Sequence, residues 1–307
     1  MKSLKKLKLE KQKLLFKLNQ LNFKIKELKQ YNNQTSTNNN IKPFKEFIDL
    51  KDLVGEKIFS SVLKNEKEIE SHYFKIRGIN INFYTPNLRT LWQSAGQEYI
   101  EPELLNFIDS LSQDAVYFDV GASNGTFSIY SAIKGIKTIC FEPEVTNFNI
   151  LNLNSYLNHK LIKDNFYALN IAISDKIEIN NINIKKLDGS AHEKFLDNKN
   201  YLIDKSNFST DYKQSVITLT IDKFCHFFDI MPTDIKIDVD GSELAVVNGM
   251  INILSNSTLK RIFIEILDNE KSSMRALELL LDYGFVIHKK NQVQNYFGLY
   301  NYTLYRK

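Results

Sequence analysis

The sequence of 307 residues has little cysteine and no long apolar run. Cys140 and Cys225 each lie inside an apolar stretch, so we expect two buried, reduced thiols. Two distant cysteines provide neither a disulfide framework nor a zinc site. No apolar run approaches the roughly 20 residues that a membrane-spanning helix needs. The basic N-terminus lacks the apolar core of a signal peptide, which predicts a cytoplasmic location.

An excess of charge is also lacking. The chain has 40 Lys and Arg against 36 Asp and Glu, which gives a formal net charge of +4. Most of this excess lies in residues 1–30, and the remainder is close to neutral. We therefore expect neither a nucleic-acid partner nor a polybasic membrane anchor. The length predicts one large domain with an appendage rather than two full domains.

The N-terminal appendage, residues 1–30, is predicted to be a coiled-coil helix. Apolar residues recur there at three- and four-residue steps, the a/d pattern of about four heptads. These residues are Leu4, Leu7, Leu14, Leu18, Leu21, Ile25 and Leu28. The narrow stripe predicts a homo-oligomer or a partner helix, and the many lysines leave open an amphipathic helix on a membrane surface. Residues 31–40 are predicted to be a flexible linker, and residues 41–110 are predicted to form a lead-in subdomain.

Strands and helices alternate from Ala115 onwards. The predicted strands are 116–120, 137–141, 166–174, 216–221, 235–240 and 261–267. Predicted helices include one from about Thr126 and others at 145–157, 244–254 and 272–283. This alternation predicts an α/β fold with a mostly parallel sheet covered on both faces. The final strands, 285–289 and 302–306, predict an antiparallel terminal pair.

The turn after the first of these strands, residues 121–125 (Gly-Ala-Ser-Asn-Gly), is the predicted ligand site. Ligands of open α/β sheets bind beyond the carboxyl ends of the strands. Gly121 lets the backbone approach a ligand, and Asp119 places a carboxylate beside it. The spacing is G-x-x-x-G rather than G-x-G-x-x-G, and the acid would repel a pyrophosphate. S-adenosylmethionine has no phosphate, and Asp119 could hold its cationic amino-acid end directly or through water.

A second element, Glu142-Pro143, directly follows the second strand. An acid at that strand end can accept hydrogen bonds from both ribose hydroxyls, and Pro143 fixes the following turn. The two elements together favour S-adenosylmethionine. An antiparallel terminal pair also distinguishes a methyltransferase sheet from a dehydrogenase sheet. A nicotinamide-dependent dehydrogenase is disfavoured because G-x-G-x-x-G and a Tyr-Lys or His catalytic arrangement are missing.

These motifs resemble the FkbM family of methyltransferases over residues 114–267. The matching stretches are 119–125, 141–143, 220–222, 234–243 and 264–265. The resemblance implies a class I (Rossmann-like) methyltransferase domain over residues 111–307 that O-methylates sugars or other metabolites with S-adenosylmethionine. The implied cofactor contacts, with their immediate neighbours, are Asp119, Gly121, Ala122, Asn124, Gly125, Glu142 and Pro143. Asp240 and Ser242 depart from the family's usual Glu and Ala.

Transfer of a methyl group to a hydroxyl needs a general base or a metal ion. Period-two alternation places Lys236, Asp238 and Asp240 on one face of the strand at 235–240. Asp238 is the first candidate for base or metal ligand and Asp240 the second, although an ion pair with Lys236 would explain both structurally. Glu265 faces the same crevice and could bind substrate or, with Asp238, Mg²⁺. A metal-free site is favoured.

The polar stretch at residues 181–213 is predicted to include a lid or substrate loop. His192 in this stretch is a further candidate base, although an exposed loop histidine is the simpler interpretation. We expect a glycan or another small-molecule acceptor. The alternative is a non-catalytic coiled-coil scaffold with a degenerate or merely cofactor-binding domain. The presence of Asp119, Glu142 and Asp238 together favours the enzyme.

Overall fold

The structure is a computed structural model that describes residues 69–184, 194–196, 212–294 and 296–307. These residues belong to one compact unit that spans Glu68–Lys307. The predicted coiled coil, the linker and His192 lie outside the described residues, so they stay predictions. Among the described helices, none combines the length and apolar character needed to span a bilayer.

The described elements alternate along most of the chain. The strands are β1 Ser71–Ile76, β2 Ile79–Tyr84, β3 Val116–Val120, β4 Lys137–Phe141, β5 Phe166–Leu169, β6 Ala172–Ile173, β7 Glu178–Ile184, β8 Lys194–Leu196, β9 Tyr212–Leu219, β10 Asp234–Ile237, β11 Arg261–Leu267, β12 Phe285–Gln292 and β13 Leu299–Arg306. The helices are α1 Leu88–Ala95, α2 Gln97–Ile100, α3 Pro102–Asp109, α4 Thr126–Ile133, α5 Val145–Leu157, α6 His159–Ile162, α7 Ile221–Phe228, α8 Glu243–Asn248, α9 Ile251–Leu254 and α10 Lys271–Asp282.

A seven-stranded sheet forms the centre of the domain, in the order β12-β13-β11-β10-β3-β4-β5. Strands β5, β4, β3, β10 and β11 are parallel to one another. Strand β13 runs antiparallel between β11 and β12. A parallel sheet with one antiparallel strand inserted near its edge is the class I methyltransferase arrangement. The predicted fold class is therefore confirmed for the catalytic part of the chain.

The two faces of this sheet differ in chemistry because side chains alternate along each strand. One face is apolar: Phe118, Ile237 and Ile264 belong to a core shared with helices α7, α8 and α10. The opposite face packs on α3, α4 and the β1–β2 hairpin near the amino ends of the strands. Towards the carboxyl ends that second face carries Asp119 and Lys236, which are register partners.

Several predicted boundaries are wrong for identifiable reasons. The predicted strand 166–174 is divided, because β6 leaves the central sheet and joins β9 in a second sheet. The predicted extension to residue 221 ends at Leu219, since the Thr220 side chain caps helix α7, which was not predicted. The predicted helix 244–254 is divided at Gly249, where a Cβ would lie 2.1 Å from the Ser174 carbonyl oxygen.

The predicted strand 235–240 ends at Ile237, so Asp238 and Asp240 lie in the following loop. Asp240 has a left-handed backbone with φ of 50°. Strand alternation therefore does not apply to these two residues, and their positions depend on the loop.

The lead-in region packs directly on the central sheet. Strands β1 and β2 of this region form a hairpin that turns at Arg77 and Gly78, both with positive φ. Ile81 and Phe83 of this hairpin share a core with Tyr117 of β3 and Ile129 of α4. This packing covers the second face of the sheet, and Gln93 of the same region contacts Asn124 in the loop after β3. Both cysteines are free and buried, as expected.

Candidate active site

The loop that follows β3 is fixed by its neighbour β4. The backbone N–H groups of Gly121 and Ala122 both donate to the Phe141 carbonyl oxygen, at 3.0 and 3.1 Å. Gly121, Ser123 and Gly125 have left-handed backbones with φ of 82°, 51° and 76°. These turns carry the chain sharply from β3 into helix α4. The loop is thus held rigidly where a ligand of an open α/β sheet would bind.

Gly121 is required by the neighbouring strand as well as by the turn. A Cβ at this position would lie 1.8 Å from the Asp238 carbonyl oxygen. The Gly121 carbonyl oxygen accepts a hydrogen bond from the Lys236 ammonium at 2.7 Å. From the sequence, the absence of a side chain at Gly121 was expected to let a ligand approach the backbone. It also leaves room for the chain that leaves β10.

Glu142 connects the two motifs. Its carboxylate accepts hydrogen bonds from the backbone N–H groups of Ser123 and Glu144, each at 2.8 Å. The residue is 5% exposed. Each carboxylate oxygen has a second lone pair, so Glu142 can hold the loop and still accept a ligand hydroxyl. Pro143 follows, and its carbonyl oxygen accepts from the Gln214 side-chain amide at 2.7 Å.

Asn124 and Gly125 are held by protein contacts. The Asn124 side-chain amide donates to Gln93 Oε1 at 2.9 Å, which ties the loop to helix α1. A Cβ at Gly125 would lie 2.8 Å from Leu151 Cγ. Trp92, on the same helix, is 51% exposed.

An ion-paired triad lies on the polar face at the carboxyl end of β3 and β10. Lys236 Nζ is 3.2 Å from Asp119 Oδ1 and 3.3 Å from Asp238 Oδ2. Ser128 Oγ donates to the other Asp119 oxygen at 2.5 Å. Asp119 is 1% exposed, whereas 30% of the Asp238 side chain is exposed. Asp119 therefore anchors Lys236 from inside the sheet, and Asp238 is the member that a substrate can reach.

Burial opposes the positive charge of Lys236, but the nearby carboxylates of Asp119 and Asp238 outweigh it and raise the pKa of the lysine. Lys236 therefore stays protonated at physiological pH.

Further acids surround the triad and disfavour one another's ionisation. Burial first, and then the charge of Asp238, raises the pKa of Glu265 well above its ordinary value. The pKa of Glu243 rises to about 7, mainly by burial. Loss of hydration, followed by the charge of Asp238, also raises the pKa of Asp240, although solvent reaches this side chain and limits the rise. The crevice therefore disfavours additional negative charge, and a bound cation would be stabilised there.

Glu101 is a member of this acidic group that the sequence analysis missed. Burial and the charge of Asp238 raise its pKa to about 8, and Lys236 opposes the rise. Glu101 immediately precedes helix α3, which packs over the polar face of the sheet. In the sequence, the position of Glu101 directly before Pro102 was the feature that could have drawn attention to this residue. Its link to the site depends on packing between segments far apart in sequence.

The alternative of a metal site at Asp238 and Glu265 stays a hypothesis. Within the described ranges, no group of three or more His, Cys, Asp or Glu side chains is placed to hold a metal ion. Asp238 and Glu265 do lie close enough for their charges to interact.

Comparison with known families assigns the domain. A model described as the methyltransferase FkbM domain matches residues 119–287, which is more than half of the chain. The chain belongs to the FkbM methyltransferase family. The matched region begins at Asp119 and contains Glu142, Asp238 and Glu265. Glu101 lies outside it. No curated protein matches the sequence significantly.

Solved structures with a similar arrangement include an FkbM methyltransferase from Methylobacillus flagellatus KT. It is 16% identical with a TM-score of 0.44, and the match covers 64% of this chain and 44% of that chain. Magnesium protoporphyrin IX methyltransferase from Synechocystis PCC 6803, with bound SAM, is 9% identical with a TM-score of 0.41 and coverages of 88% and 100%. Aeropyrum pernix fibrillarin is 8% identical with a TM-score of 0.43 and coverages of 78% and 84%. These scores are low, and the fold assignment rests on the strand order of this FkbM family member itself.

Proposed function

We propose that this FkbM family member is an S-adenosylmethionine-dependent enzyme that methylates a hydroxyl group of a glycan or a related metabolite. The observation that carries the proposal is the triad of Asp119, Lys236 and Asp238 directly beside the Gly121 loop. It places one accessible carboxylate, held by a buried ammonium, next to the expected cofactor site.

The charge of the crevice fits the proposed cofactor. Lys236 lowers the pKa values of Glu101 and Asp240, and the largest charge effects on all four acids, including Glu243 and Glu265, come from carboxylates that raise them. This field attracts a sulfonium and repels a pyrophosphate. The Glu142 carboxylate, fixed by two backbone N–H groups, is the proposed partner of the ribose hydroxyls. S-adenosylmethionine would supply an electrophilic methyl group at this position.

Asp238 is the proposed general base. A hydroxyl is a poor nucleophile at neutral pH, so a carboxylate that accepts its proton lowers the barrier. Lys236 keeps Asp238 oriented at 3.3 Å, and Asp119 in turn holds Lys236 at 3.2 Å. Helix α1, which contacts the cofactor loop through Gln93 and Asn124, also carries the exposed Trp92. An exposed aromatic ring is the kind of surface on which a sugar ring packs.

Replacement of the proposed base tests this assignment. Asp238→Asn keeps the shape of the side chain but removes its proton affinity, so we expect S-adenosylhomocysteine to bind nearly as before while turnover falls. A general base contributes about 10²–10⁴-fold. Turnover is measured as methyl transfer to a panel of sugars, and Asp282→Asn, at an exposed acid of α10, is the matched control. A variant with wild-type turnover would remove Asp238 from catalysis.

A further inference from the structure

Asn301 presents a buried hydrogen-bond acceptor that the protein leaves unused. The residue is 2% exposed and lies in β13. Its side-chain N–H donates to Glu103 Oε1 at 2.9 Å. A carboxylate only accepts hydrogen bonds, so this contact fixes the orientation of the amide. The other end of the amide, Asn301 Oδ1, has no hydrogen-bond partner within the described part of the chain. An unpaired buried acceptor is unfavourable unless a ligand completes it.

Two carboxyl groups lie beside that acceptor. Asn301 is the register partner of Glu265 on the adjacent strand β11, so both side chains are on the same face of the sheet. Glu103, which accepts from Asn301, is two residues beyond Glu101 in sequence. The charge of Glu101 acts on Glu265 directly, which places the two carboxyl groups close together. Asn301 thus joins strand β13 to the start of α3, where these acids converge.

Among the described residues, the buried Tyr117 hydroxyl has no hydrogen-bond partner and lies within range of the Glu101 charge, so it supplies one neutral donor. Lys236 also acts on Glu101, but its ammonium is already shared by Gly121, Asp119 and Asp238. The groups left for a ligand are two carboxyl groups, which keep their protons at neutral pH while no cation is bound because their pKa values are raised, and one amide oxygen. A bound positive charge favours the ionised form of both carboxyl groups, so that they become acceptors. A bound anion would instead add to the charge of Asp238, which already raises both pKa values.

We propose that Glu101, Glu265 and Asn301 form a binding site for a protonated amine next to the methyl-transfer centre. An ammonium group carries three N–H donors, which match the three acceptors. The inference rests on the proposed function for its position beside the cofactor. The amine belongs either to the acceptor, such as an amino sugar, or to the amino-acid end of S-adenosylmethionine. Glu101 and Asn301 lie outside the matched region 119–287. We therefore favour the acceptor, rather than the cofactor, as the source of the amine.

The experiment separates the two sources with one set of variants. Wild type, Glu101→Gln and Glu265→Gln are titrated by calorimetry with S-adenosylhomocysteine and with 5′-methylthioadenosine, which lacks the amino-acid end. Glu278→Gln, at an exposed acid of α10, is the matched control. The same proteins, saturated with S-adenosylhomocysteine, are then titrated with 2-aminoethanol and with ethylene glycol, which differ only by amine and hydroxyl. Thermal unfolding by circular dichroism confirms that each variant is folded.

An acceptor amine site predicts that wild type binds 2-aminoethanol at least about tenfold more tightly than ethylene glycol. Either Gln substitution removes this preference and leaves S-adenosylhomocysteine binding unchanged. A cofactor amine site predicts instead that the Gln variants bind S-adenosylhomocysteine about tenfold more weakly, with 5′-methylthioadenosine unaffected. If neither pattern is seen, the amine site is wrong. If wild type fails to bind S-adenosylhomocysteine, the proposed function fails, and titration of the cofactor-free protein with 2-aminoethanol still decides the amine site.

Discussion

Replacement of Gly121 by alanine tests whether the two strand ends are as tightly joined as the structure indicates. The added Cβ would lie 1.8 Å from the Asp238 carbonyl oxygen, whereas ordinary contact begins at 3.4 Å. The chain at Asp238 must therefore move by about 1.6 Å to relieve the clash. That movement pulls the Asp238 N–H from the Val120 carbonyl oxygen, at 3.1 Å, and disturbs the bond from Lys236 to Gly121, at 2.7 Å.

The expected loss follows from these contacts. A left-handed backbone at a non-glycine residue costs about 1 kcal/mol. The loss of one neutral hydrogen bond adds about 1 kcal/mol and weakening of a charge-assisted one about 1.5–3 kcal/mol. We therefore expect Gly121→Ala to lower the free energy of unfolding by about 3–5 kcal/mol and to abolish measurable binding of S-adenosylhomocysteine.

Gly284→Ala is a matched control, because Gly284 has φ of 84° and no atom within 4 Å of the added Cβ. Gly284→Ala should lower the free energy of unfolding by about 1 kcal/mol. Urea unfolding followed by circular dichroism gives both values, and calorimetry gives cofactor affinity. Equal destabilisation by the two substitutions, with binding retained in Gly121→Ala, would refute the reasoning about the joined strand ends.

Three further predictions concern the charges of the site. Lys236→Met leaves the buried Asp119 without its cation, so urea unfolding should show a loss of about 3 kcal/mol or more, whereas an unchanged midpoint would contradict the triad. Glu142→Ala removes the acceptor of two loop N–H groups and of the proposed ribose contact, so calorimetry should show S-adenosylhomocysteine binding at least about tenfold weaker. Since the pKa of Glu101 is raised from 4.5 to about 8, its contribution to stability is complete below 4.5 and is lost as pH rises through 8. Between pH 4.5 and 8, the free energy of unfolding of Glu101→Gln should therefore fall by about 1–2 kcal/mol less than that of wild type. The same pH dependence in both proteins would contradict this.

The order of elements in the central sheet could be predicted because short apolar strands and amphipathic helices leave clear local patterns. Val116–Val120, Lys137–Phe141, Val145–Leu157 and Arg261–Leu267 have the predicted bounds. Predictions failed where tertiary contacts override the local pattern. Apolar residues continue from β9 into α7, and Thr220 alone marks the change through its side-chain cap.

The candidate site could be predicted in the part that two adjacent strand ends supply. Asp119 and Glu142 follow directly from strand positions, and Asp238 from the next strand in the sheet. Their local contacts could not be predicted, since the pairing of Lys236 with Asp119 depends on strand register. Glu101 could not be assigned at all, because its place depends on how α3 packs over the sheet.

The most direct test of the central claim is calorimetric titration of the purified chain with S-adenosylhomocysteine, with NAD as a parallel control. The acid-rich crevice and the G-x-x-x-G loop predict micromolar binding of S-adenosylhomocysteine and no binding of NAD. Binding of NAD alone, or no binding of either ligand by a folded sample, would contradict the assignment of a working S-adenosylmethionine-dependent methyltransferase.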